Sequence, residues 1–183
     1  YYLPFEYLEF EAMLRERNDL KYGEAVQMKN LEFKLLNAGH IPGSAMVDVK
    51  VDGKRILYTG DLNPEATRLV QGAKPPRQRY DAVVIESTYA NKDHPDRKKL
   101  EVEFVDAIKR VLNDDGKVLV PAFAVGRSQE MLHVMHSQKL VAKRAVDGMA
   151  RAVNQIYLGY PDFLRTPKSF AKVINSTREM TGW

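Results

Sequence analysis

Apolar positions along this chain follow two rhythms. Residues 5–17 place Phe5, Leu8 and Ala12 at helical spacing and predict a helix. Residues 31–38 form a short apolar run that predicts a strand. Residues 45–51 alternate, with Ala45, Val47, Val49 and Val51 on one face and Met46, Asp48 and Lys50 on the other. A period of two is that of a strand. Asp52-Gly53 follows, a pair that tolerates positive φ, and predicts a hairpin returning as a strand over 55–59. Residues 81–86 predict a buried strand. After the polar loop 89–94 the spacing becomes helical. Leu100, Phe104, Ile108 and Val111/Leu112 share one face of a helix over 95–113, with Pro95 suited to its first turn. Residues 117–121 predict a further strand. Residues 128–136 predict a helix opening just after Gly126, and 149–158 and 167–175 predict two more. Strands followed by helix, strand and helix indicate an α/β protein, with a domain boundary near residue 90.

Composition narrows the chemistry. The chain has 183 residues, of which 44% are apolar, enough for a packed core. It has no cysteine, which removes disulfides and thiolate metal sites and favours a reducing compartment. A metal would therefore be held by His, Asp and Glu, a donor set that suits zinc. No apolar run approaches membrane-spanning length, so no membrane partner is expected. The start, YYLPFEYLEFEAM, carries acids and no basic leader, and lacks an initiator Met. The chain is read as a piece of something longer. Net charge is +4, with the basic excess in the last third. That excess suits a nucleic-acid face and equally a solvated surface.

Strand directions bring scattered polar residues together. If strand 31–38 runs up, the turn at 39–44 sends 45–51 down and the hairpin sends 55–59 up. His40 and Asp61 then emerge at the same end of the sheet, and Glu86 joins them if 81–86 also runs up. Strand carboxyl ends are where α/β sheets bind ligands. Imidazole and carboxylate are zinc ligands, and a carboxylate can bridge two ions. Two ions can stabilise the attacking and leaving oxygens of a phosphodiester, with Glu86 shuttling a proton or orienting a His. Taken one at a time, each residue has an ordinary alternative: a loop histidine, a turn aspartate and half of a buried ion pair. His94 is read as belonging to a helix-capping region. His133 and His136 are read as packing or facing solvent. A second feature is VPAFAVGRSQE, residues 120–130, where a helix opens at Gly-Arg-Ser. Its amides and dipole favour an anion, Arg127 adds a bidentate phosphate donor and Ser128 a hydroxyl. The alternative for Ser128 is a local N-cap.

Five strings now stand in order: NAGHIPGSAM, ILYTGDLNPE, VVIESTYANKDHP, VPAFAVGRSQEML and VDGMARAVNQIY. Together they resemble the β-CASP branch of the metallo-β-lactamase superfamily, nearest to RNA nucleases of the cleavage and polyadenylation specificity factor type. The resemblance covers most of residues 31–158. It implies that His40 binds one zinc, that Asp61 bridges two, and that Glu86 pairs with a histidine to help protonate the leaving group. It implies part of a metallo-β-lactamase αββα sandwich over residues 1–90 and part of a Rossmann-like β-CASP domain over 91–183, with RNA entering between them.

The expected activity is zinc-dependent hydrolysis of single-stranded RNA, by endonuclease and also 5′-to-3′ exonuclease action, in RNA 3′-end processing or decay. Arg127 and Ser128 would contact RNA. A homodimer or a place in an RNA-processing complex fits the same family, in the cytoplasm or, in a eukaryote, the nucleus. The family's first zinc motif and its two late histidines do not occur here, so this chain alone is expected to bind zinc weakly and cleave little. The competing expectation is a non-catalytic RNA-binding scaffold subunit. Small-molecule hydrolysis is disfavoured by the helical segment after residue 90.

Overall fold

A computed structural model describes residues 5–179. The first half is a five-stranded mixed sheet in sequential order: β1 (Ala25–Met28), β2 (Leu31–Asn37), β3 (Ala45–Val51), β4 (Lys54–Tyr58) and β5 (Ala82–Val84). The first four strands are antiparallel neighbours, and β5 pairs parallel to β4. Helix α1 (Tyr7–Arg15) precedes the sheet and has no buried residue. The second half packs α2 (Arg97–Asn113), α3 (Arg127–Ser137), α4 (Met149–Gly159) and α5 (Pro167–Asn175) around Val105, Leu132, Val134, Phe170 and Val173. Two two-residue strands, β6 (Ala145–Val146) and β7 (Arg178–Glu179), pair in parallel beside them. A smaller core of Ala38, Met46, Leu57 and Ala73 lies under the sheet. Leu69 and Val70, from the loop after β4, are buried in the helical core, so the chain's first half reaches across the line expected near residue 90.

The hairpin forms as its sequence requires. Asp52 and Gly53 both take positive φ, at 48° and 74°. β1 is an element that four residues of mixed polarity did not announce. Two expectations need correction. The segment 81–86 forms only a three-residue strand, and that strand is exposed rather than buried. It is the sheet edge and among the described residues pairs with β4 alone. Residues 117–121 form no strand. A strand needs a neighbour for its amides and carbonyls, none pairs with this segment among the described residues, and Leu119 is 91% exposed. The helix expected from Pro95 begins at Arg97, because the Asp96 carboxylate accepts from the Lys99 amide as N-cap.

The buried face of β3 is the one carrying Met46 and Asp48. Asp48 is tolerated there because Arg55 grips it with two bonds of 2.8 and 2.7 Å and Gln78 adds a third at 2.9 Å. The Arg55 hydrogen bond holds the Asp48 carboxyl below the usual carboxylate range, against the opposing effect of burial. Arg55→Ala strands that carboxylate. The expected cost at pH 7 is about 3 kcal/mol, the low end for a broken buried pair because Arg55 itself reaches water. A group with a depressed folded pKa stabilises above its unfolded value, near 4, and that stability is lost as the pH falls through the folded value. The wild-type advantage should therefore shrink in urea melts below about pH 4.

Candidate functional site

The turn after β2 is held from both sides. Asn37 Oδ1 accepts from the Gly39 amide at 2.9 Å, while Asn37 Nδ2 donates to the Gln71 carbonyl at 3.1 Å. Ser44 Oγ accepts from the amides of His40 and Ile41 at 3.1 and 3.2 Å. Gly39 has φ of 71°, and a Cβ there would meet the Asn63 carbonyl oxygen at 2.3 Å and the Ala73 amide at 2.4 Å. Those two atoms are themselves hydrogen-bonded at 2.8 Å, and the Asn63 amide donates to the Ala38 carbonyl at 2.9 Å. The loop carrying His40 and the loop following Asp61 are thus knitted together along their backbones.

His40 follows β2, Asp61 follows β4 and Glu86 follows β5, three strands that run in the same direction. His40 Nε2 lies 3.7 Å from Asp61 Oδ2, with both side chains open to solvent at 47% and 72%. That separation is too long for a hydrogen bond and leaves both groups free to act as donors to a cation. Glu86 Oε1 accepts from the Leu62 amide, next to Asp61, at 2.6 Å. The Leu62 amide, then the Thr88 hydroxyl, hold the Glu86 carboxyl below its ordinary range, and the neighbouring His40 lowers it slightly further. Glu86 is therefore a carboxylate at neutral pH. An imidazole and a carboxylate at this spacing suit zinc and fill half of a tetrahedral shell. Among the described residues no group of three or more His, Cys, Asp or Glu is placed to hold a metal. The donor chemistry fits zinc as a partial set.

Helix α3 faces this rim. Its N-cap is Gly126, and a Cβ on Gly126 would meet Ile41 Cγ2 at 2.6 Å. The residue after His40 thus rests on the residue before Arg127. Arg127 is exposed. The Ser128 hydroxyl donates to the Phe123 carbonyl at 2.8 Å, so its proton is committed locally and it is not the helix N-cap. The other histidines lie elsewhere. His94 meets Tyr89 in a tilted ring contact with centroids 4.4 Å apart. His133 is buried, and burial lowers its pKa.

No family model matches the chain. Individual proteins do. RNase aCSPSF2 of Saccharolobus solfataricus is 36% identical over 182 residues, covering 99% of this chain and 37% of that protein. Probable RNase MJ4 of Methanocaldococcus jannaschii is 35% identical over 179 residues, covering 96% of this chain and 42% of that protein. Cleavage and polyadenylation specificity factor subunit 3 of Dictyostelium discoideum is 34% identical over 131 residues, 72% of this chain and 17% of its own length. The chain belongs to the β-CASP metallo-β-lactamase ribonuclease family. It spans less than half the length of these relatives.

In this β-CASP chain, sequence reasoning named the residues that face the rim and missed those that hold them. Asn37 and Ser44 lie inside the NAGHIPGSAM string, and an Asn two positions before a Gly amide is a turn signal that was legible there. Asn63 and Glu130 act through contacts with distant segments, which no local pattern announces.

Proposed function

We propose that the complete protein is a zinc-dependent β-CASP ribonuclease that hydrolyses phosphodiester bonds in single-stranded RNA as an endonuclease. The five-stranded sheet is then part of the metallo-β-lactamase sandwich, and α2 to α5 are part of the β-CASP domain. What supports this reading most is the meeting of His40 and Asp61 at 3.7 Å, with Glu86 bound to the adjoining Leu62 amide. His40 and Asp61 would hold zinc, with the remaining ligands supplied by sequence beyond this chain. Zinc, when bound, supplies Lewis acidity and makes water a competent nucleophile at neutral pH. Glu86, held ionised by the Leu62 amide, does not itself donate a proton near pH 7. It is suited to orienting an imidazole that does, and the imidazole's proton then goes to the leaving oxygen.

Arg127, exposed at the helix start beside the His40 loop, is suited to grip a backbone phosphate, with the Ser128 oxygen alongside. Arg127→Ala should raise KM for a single-stranded oligonucleotide and reduce the dependence of log K on log salt by about 0.7, the value for one phosphate contact on a single strand. An unchanged salt slope would remove Arg127 from the RNA path.

The activity itself is tested by incubating the complete protein with an end-labelled unstructured RNA, before and after chelation. Cleavage that stops with chelator and returns with zinc is the expected result. Cleavage indifferent to chelator would overturn the zinc assignment. Binding without cleavage would replace the nuclease with a scaffold subunit.

A further inference from the structure

The first turn of α3 touches both loops of the candidate site. Its opening residue, Gly126, seats Ile41 beside His40. One turn later, Glu130 turns inward and is 5% exposed. Its two oxygens accept from consecutive backbone amides, Oε1 from Arg68 and Oε2 from Leu69, each at 2.9 Å. These amides lie in the loop after β4, the one that carries Asp61. Arg97 of α2 also donates to Glu130 and reaches Glu101 at 3.1 Å, and Arg68 closes the set on Glu101 at 2.7 Å. Arg165 holds the same loop from its far side, its amide donating to the Leu69 carbonyl and its guanidinium to the Thr67 carbonyl, both at 2.8 Å.

Two buried carboxylates, matched only by two guanidiniums that still reach water, form a costly arrangement for stability alone. A pair of parallel bonds to backbone is, however, a stiff joint. The geometry points to Glu130 as a positioning residue: by gripping the Arg68 and Leu69 amides it fixes the Asp61 loop against the helix that presents Arg127. This rests on the ribonuclease reading above for its catalytic consequence, though the joint itself does not. RNA held by Arg127 would meet His40 and Asp61 in register only while the joint is closed. Misplacement of about 1 Å at a reacting centre costs up to about a hundredfold in rate.

The test uses the complete protein carrying Glu130→Gln, in which one amide loses its acceptor and Arg97 keeps only Glu101 as a charged partner. Amide hydrogen exchange should quicken over residues 61–70 and over the knitted turn 38–44. Turnover of single-stranded RNA should fall by about tenfold with KM within twofold and zinc content unchanged. Glu103→Gln, on the exposed side of α2 opposite Lys99, should change none of these. Unchanged exchange over 38–44 in Glu130→Gln overturns the joint. Faster exchange with unaltered kcat overturns its part in catalysis. A wild type that cleaves no RNA removes the ribonuclease reading while the exchange measurement still decides the joint. If Glu130→Gln does not fold, Arg97→Lys, which keeps charge but loses the fork, should show the same kcat-only loss in smaller measure.

Discussion

Replacing Asp61 with Asn in the complete protein is expected to lower cleavage of single-stranded RNA by more than about 100-fold, because even outer-shell partners of metal ligands cost about 10–100-fold when lost. The substitution is nearly isosteric and the side chain is largely exposed, so the thermal midpoint should stay within a few degrees of wild type. Asn retains one carbonyl oxygen but loses the charge that would offset a divalent ion held there. His40 also loses the negative neighbour 3.7 Å away. Measuring kcat, melting temperature and zinc content together separates loss of chemistry from loss of fold. Wild-type cleavage by the Asn variant would take Asp61 out of the mechanism.

Gly39→Ala should do the opposite, damaging the frame without touching a reactive group. The new methyl meets the Asn63 oxygen and the Ala73 nitrogen at 2.3 and 2.4 Å, and both are backbone atoms that cannot rotate aside. It forces apart a backbone hydrogen bond and demands φ of 71° from a residue that resists it. Left-handed strain and overpacking each cost about 1–3 kcal/mol, so chemical denaturation should register a loss of about 2–6 kcal/mol in sum. The same wedge separates the His40 turn from the Asp61 loop. RNA cleavage and zinc affinity should fall together even at temperatures where the variant remains folded. A variant as stable as wild type would mean that the two loops are not locked at this point.

The divergence between these two substitutions marks how far the sequence could be read. His40, Asp61 and Glu86 were legible because strand direction follows from turns, and turns follow from residues such as Gly39 and Asp52-Gly53. Their joint position at one end of parallel-running strands is a topological consequence, and the sheet has that topology. Helices α3, α4 and α5 were legible within a residue or so because amphipathic spacing persists over whole turns. The failures have a common cause. Residues 81–86 and 117–121 have strand-like composition, yet a strand exists only through its neighbours. β5 stands at an edge, and the segment from 117 to 121 pairs with nothing described. Glu130 reads locally as a first-turn acid, a helix-dipole partner. That it spends both oxygens on amides some sixty positions earlier is a long-range fact carried by no short pattern. The same holds for Leu69 and Val70, which look like loop residues and pack in the helical core.

The most direct measurement is the metal content of the purified complete protein by elemental analysis, wild type beside Asp61→Asn. Two zinc ions per chain in the first, and a loss of bound zinc in the second, are the expected result. A wild type that carries no zinc, and takes up none on titration, would contradict a metal centre built on His40 and Asp61.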